Sequence, residues 1–242
     1  MLRKVFVMGV SLCQAVAAAA SERDAGHSTL HDRCFSSTQR SSELGAADVP
    51  LADRLRNARV PLPPRFHDAL ARLKPFAHLP KGVKPELVGS HAVRSASVLS
   101  SGTIFVSSRL WRDEDALDRE EAAAVIAHEL AHTELSHVKD KLCEAVALSG
   151  DESLSLNAAA GAAHRAIRAG DDQLAVRMMQ GNHQRELQAD RRAAELLRLA
   201  GLPDAALPRM LVKLAQGDGG GHSGTHPALE TRLEKPGVRV AR

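Results

Sequence analysis

Residues 118–139 carry the best-signalled helix in the chain, and they most narrow what it can become. Asp118 is an N-cap candidate, and Glu121 three positions on completes a capping-box pattern. No proline or glycine follows before Lys139, so the spacing predicts an unbroken helix from Arg119 to about Lys139. A helix advances about 100° per residue, which sets Val125, His128, His132 and Leu135 on one inward-facing stripe. Any fold for this chain must therefore bury a helix that carries two imidazoles on its core side.

The rest of the composition suits a helical setting. Alanine is abundant, aromatic residues make up only 2% and tyrosine is absent, which favours closely packed helices over a large β-sandwich. Hydrophobic residues at 44% and charged residues at 25% are an ordinary globular balance. The formal charge of +3 includes Arg3 and Lys4; without them it is close to neutral. No basic patch with interleaved aromatics exists, so nucleic acid is not an expected partner.

Residues 1–20 read as an export signal. MLRK supplies a positive start, VFVMGVSLCQAV an apolar core and AVAAAAS small residues for cleavage. A buried N-terminal helix or an uncleaved anchor is the alternative. No other stretch approaches eighteen apolar residues, so the mature chain is expected to lack an integral membrane span and to be periplasmic. Residues 21–48, rich in Ser, Asp, Arg and Gly, read as a flexible leader, and residues 49–242 as one catalytic domain. Cys34 and Cys143 remain after processing; a single disulfide and two free thiols are both open.

Residues 49–79, punctuated by PLPP and Pro75, fit two short helices with a turn between them. ELVGSHAV (86–93) and TIFVSS (103–108) read as strands joined through a turn near Gly102, with TIFVSS as the edge. Helical sequence returns from about Ser153 to Ala169 and from about His183 to Ala200. The glycine-rich GDGGGHSG (217–224) lacks the lysine and context of a phosphate cradle and reads as a surface loop.

His128 and His132, about 40° apart on the helix, can reach one metal ion. Glu129 beside them is placed to hold a metal-bound water without ligating the metal, the HExxH arrangement of zinc peptidases. With 12 histidines in 242 positions, a chance HExxH has odds of roughly a few per cent. His137 does not complete a three-histidine set: on a continuing helix it points about 180° from His128, which leaves it a structural or supporting role. A catalytic zinc needs a third protein ligand. In RELQAD (185–190), Glu186 and Asp190 share a helix face, so one can ligate while the other fixes an imidazole tautomer; an exposed acidic pair is the alternative.

HELAHTELSH followed some fifty residues later by ELQAD resembles the HtpX and CAAX-prenyl-protease group of zinc metallopeptidases. SGTIFVSSRL resembles that group's edge strand, and THPALETRL (225–233) its C-terminal His-Pro segment. The resemblance implies one Zn2+ per chain held by His128, His132 and Glu186. It gives Glu129 as general base, Asp190 as partner to a ligand imidazole, and His226 as the group steadying the oxyanion. It also implies an α+β, zincin-like fold, mostly helical with a small edge-exposed sheet. Ala96-Ser97 stands where the group often has Asn-Ala, and the group's membrane helices are absent. The expected function is a zinc metalloendopeptidase acting on unfolded or misassembled envelope proteins, in protein quality control. A non-catalytic, zinc-containing, chaperone-like binding protein is the alternative.

Overall fold

The capping pair at Asp118 forms as its spacing predicts. Asp118 Oδ1 accepts from the Glu121 amide at 2.8 Å, and Glu121 Oε2 accepts from the Asp118 amide at 2.9 Å. The computed structural model describes Cys34 and residues 52–234, apart from 54, 113–115, 152 and 218–225. The expected export signal, the leader other than Cys34 and the glycine loop beyond Gly217 lie outside the described residues.

In chain order the elements are β1 (Arg59–Val60), α1 (Pro64–Leu73), β2 (Glu86–Ser90), β3 (Ala96–Val98), β4 (Thr103–Ser107) and α2 (Arg109–Arg112). After these come α3 (Arg119–Glu134), α4 (His137–Ser149), α5 (Leu156–Arg168), α6 (Asp172–Leu199), α7 (Ala206–Gly217) and α8 (Leu229–Glu234). Pro64 opens α1 at its first turn, where a missing N–H costs nothing. Helical residues at 52–57, apart from 54, precede β1, so two short helices form over this stretch as expected, with β1 and the PLPP run between them, and Pro75 falls in a short 3₁₀ turn at Lys74–Phe76.

Helix α3 is the axis of the fold. Alanine over Ala122–Ala124 lets neighbours approach closely, and the helix packs against α1, α6, α7 and β3. Ile126 and Leu130 lie fully buried in the main core with Phe66 of α1, Leu196 and Leu197 of α6, and Leu207 of α7. The buried Glu121 carboxylate also accepts from Lys213 Nζ at 2.7 Å, which ties the start of α3 to α7. Fully burying one Leu- or Ile-sized side chain contributes about 1.5–3 kcal/mol, so this seam outweighs the surface ion pairs around it.

Four strands form one mixed sheet in the order β1-β2-β4-β3. β2 and β4 are parallel, while β1 and β3 add antiparallel to either side. The expectation that TIFVSS is the edge is therefore wrong: β4 lies inside the sheet and β3 is the edge. The reason is visible in the residues. Ile104 and Val106 enter the main core and Phe105 a second cluster with Leu55, Val88 and Leu99, so β4 is buried on both faces.

Three other expectations shift. α3 ends at Glu134 with Leu135 as its C-cap, and Ser136 takes a left-handed φ of 58° before the chain re-enters helix as α4. No glycine or proline marks this break. Leu135, expected on the inward stripe, is 37% exposed as a result. α6 starts at Asp172, capped by Asp171, rather than near His183. It runs through Gly181, which sits against the Glu144 carboxylate of α4.

The cysteines are joined. Cys34 and Cys143 form a disulfide with Cα atoms 5.8 Å apart, set among Ala145, Val146, Leu156 and Ala159. Among the described residues no helix is long and apolar enough to cross a membrane. The architecture is α+β, mostly helical with a small mixed sheet, as expected.

Candidate active site

α3 presents His128 and His132 one turn apart, and α6 crosses it with Glu186 facing them. His128 Nε2 and His132 Nε2 lie 3.0 Å apart. His128 Nε2 is 3.4 Å from Glu186 Oε2, and His132 Nε2 is 3.4 Å from Glu186 Oε1. Two imidazole nitrogens that close, both beside a carboxylate, can share a proton or a metal ion. Bonds of about 2.0–2.2 Å in a tetrahedral set would space ligand atoms roughly 3.3 Å apart, close to these separations. Glu186 Oε2 is buried without a well-directed hydrogen bond, which also fits a cation there. His128, His132 and Glu186 are thus a candidate metal site, and among the described residues no fourth His, Cys, Asp or Glu joins the group.

The other side of each imidazole is also engaged. His128 Nδ1 lies 3.0 Å from Asp190 Oδ1, one helical turn beyond Glu186. Asp190 is held in turn by Arg232 of α8 through two 2.7 Å hydrogen bonds, donated by Nε and a terminal NH2. His132 Nδ1 is 3.0 Å from His137 Nδ1, and His137 Nε2 is 3.1 Å from Gln188 Oε1. One proton arrangement satisfies this second chain: His137 Nε2–H donates to Gln188, and His132 Nδ1–H donates to His137, leaving His132 Nε2 free to ligate. His137 cannot itself ligate, since both its nitrogens are used on the far side of His132. The break at Ser136 creates this contact. On an unbroken helix His137 would point away, as the spacing alone predicts.

Electrostatics agree with the contacts. Burial works against a charge on His128, but hydrogen bonds to Asp190 and Glu186 outweigh it and push its pKa up to about 10. Burial also opposes a charge on Glu186, yet the close imidazoles of His128, His132 and His226 hold it well below the usual carboxylate range. Asp190 is lowered too, with Arg232 and His128 overcoming its burial. Burial pushes Glu129 up, only partly offset by the neighbouring histidines. Burial and the charge of His132 lower His137 to about 3, which keeps it neutral.

The structure brings His128, His132 and Glu186 to one point, with Asp190 behind His128 and Glu129 in the wall of the same cleft. His226, half-exposed, has Nδ1 2.9 Å from Glu186 Oε2 and lines the cleft mouth. Sequence reasoning assigns no role to Arg232 or Gln188. Arg232 lies inside THPALETRL and Gln188 inside RELQAD, but spacing within one segment does not reveal a partner on another element.

A family model for peptidase family M48 matches residues 64–236, from the first residue of α1 to just past α8. The chain belongs to peptidase family M48. No curated protein matches it. An M48 peptidase is a metal-dependent hydrolase, so this chain's substrates are proteins or peptides, and the cluster at His128, His132 and Glu186 is a candidate site for the metal.

Proposed function

We propose that this M48 peptidase is an exported zinc endopeptidase that cuts unfolded or misassembled proteins of the cell envelope. One observation carries the reading: a candidate three-ligand site opens on a cleft whose wall contains Glu129 and whose rim is a strand edge left unpaired among the described residues. Two imidazoles and one carboxylate are a donor set suited to zinc in a site that keeps one position open. Bound there, zinc would act as a Lewis acid on the scissile carbonyl and acidify a water.

Glu129 takes the proton from the attacking water and later delivers it to the leaving amine. Its burial favours the protonated form, which suits the delivery step. His226, at the cleft mouth, would steady the developing oxyanion of a bound substrate. Asp190 and Arg232 hold His128, and His137 and Gln188 hold His132, so both ligands are oriented before substrate arrives.

Main-chain pairing to a strand edge reads backbone rather than sequence, which suits unfolded clients. The disulfide and the signal-like residues 1–20 support export to an oxidising compartment. Wild type and Glu129→Gln should both hold about one zinc per chain, with casein cleavage lowered by about 10²–10⁴-fold in the variant and abolished by chelator in wild type. Equal cleavage by both proteins would remove Glu129 from the mechanism, and metal-free wild type would remove the site. The intact mass of protein recovered from cells should lack residues 1–20; a retained segment would refute cleavage of the signal.

A further inference from the structure

The rim strand β3 sits between two cavities. Its hydrogen bonds to β4 run from Ser107 N to Ser95 O and from Leu99 N to Thr103 O, in register with the pair Ser97 and Phe105. By the alternation of an antiparallel ladder, the N–H and C=O groups of Ala96 and Val98 therefore point to the free side. A peptide laid there gains main-chain bonds at both residues and passes the metal cluster.

At the Ala96 end the cleft widens into a cavity of about 370 Å³ lined by Val125, Met210, Leu211, Leu214 and Leu229. At the Val98 end it opens into a second cavity of about 350 Å³ lined by Val138, Lys141, Asn182 and Arg185. His128, Glu129, Glu186 and His226 form the wall common to both, so the reacting centre lies between them. The first is chiefly aliphatic. In the second, Arg185 is committed to Glu144 at 2.6 Å and to Asn182 at 3.2 Å. Lys141 is not: among the described residues no carboxylate lies within 4.0 Å of its ammonium. Lys141 reaches solvent, and the carboxylates of Glu186 and Glu144 act on it only from beyond that distance.

We propose that the Lys141 cavity is a substrate subsite for an acidic side chain, so that the peptide is cut between an aliphatic residue and a nearby Asp or Glu. This rests on the peptidase reading above. β3 spans three residues at roughly 3.3 Å each, so the two substrate side chains stand about two positions apart. The main-chain bonds hold any extended client, and the two cavities select where it is cut.

The test uses the full zinc-loaded chain and quenched-fluorescence peptides holding one Leu, with a single Glu, Gln or Lys moved position by position along the sequence. Wild type should cleave best with Glu at one defined distance from Leu, about tenfold better in kcat/KM than with Lys there. Lys141→Glu should reverse that order and Lys141→Gln should flatten it, while Lys81→Glu, on an exposed turn elsewhere, keeps the wild-type order. Cleavage with no charge preference, or an unchanged order in Lys141→Glu, overturns the subsite and leaves the peptidase standing. No cleavage of any peptide by zinc-loaded wild type overturns both.

Discussion

His137 shows how much one side chain can carry without touching the metal. Its Nδ1 faces His132 Nδ1 and its Nε2 faces Gln188, so it sets both the tautomer and the ring plane of a candidate ligand. A neutral imidazole acceptor does the job that a carboxylate, Asp190, does for His128. Removing such a partner usually costs 10–100-fold in metal affinity. His137→Phe keeps the ring volume and removes the acceptor, so zinc affinity, measured by competition with a chelator, should fall by about 10–100-fold. Gln188→Leu should fall less, since it frees His137 without deleting it. Affinity equal to wild type in His137→Phe would show that His132 needs no acceptor.

Elements show where the sequence is readable and where it is not. The i, i+4 placement of His128 and His132 is legible because both ligands ride on one helix, and the capping box is legible because it spans four residues of one segment. The strand ladder is harder. The apolar run IFV in β4 fits an edge strand as well as a buried one, and only the arrival of β3 on its far side decides. The break between α3 and α4 is hard to see because no glycine or proline marks it, and Ser136, the N-cap of α4, makes no side-chain capping bond. Its left-handed φ is imposed by the return of His137 against His132. A non-glycine residue there carries strain of about 1–2 kcal/mol. Ser136→Gly should relieve it and, after the added freedom of the unfolded chain, raise stability by about 0.5 kcal/mol in urea unfolding. Ser136→Val, branched at Cβ, should lower stability by more than about 1 kcal/mol. A destabilised glycine variant, or a neutral valine variant, would mean the break is not strained.

At the scale of the whole molecule three clusters of buried apolar side chains form among the described residues, and two of them, the main core and the one around the disulfide, have separate duties. The main core surrounds α3 and fixes α6 against it, so the three candidate ligands depend on that seam. The second gathers Cys34, Cys143, Ala145, Val146, Leu156 and Ala159 around α4 and α5, and holds the disulfide. The bridge spans 109 residues of sequence, so in the chain-entropy view it restricts the unfolded ensemble by about 4–5 kcal/mol, with measured losses for native bridges of about 2–5 kcal/mol. Cys34→Ser deletes it while leaving the more buried Cys143 in place. The variant should therefore unfold with about 2–4 kcal/mol less stability in denaturant. Because His128, His132 and Glu186 hang on α3 and α6 rather than on the bridged layer, zinc content at low temperature should remain about one per chain. His137 opens α4, so a second outcome is informative. If Cys34→Ser loses metal at temperatures where α3 and α6 stay folded, the bridge reaches the site through α4, His137 and His132, and the two centres are one cooperative unit.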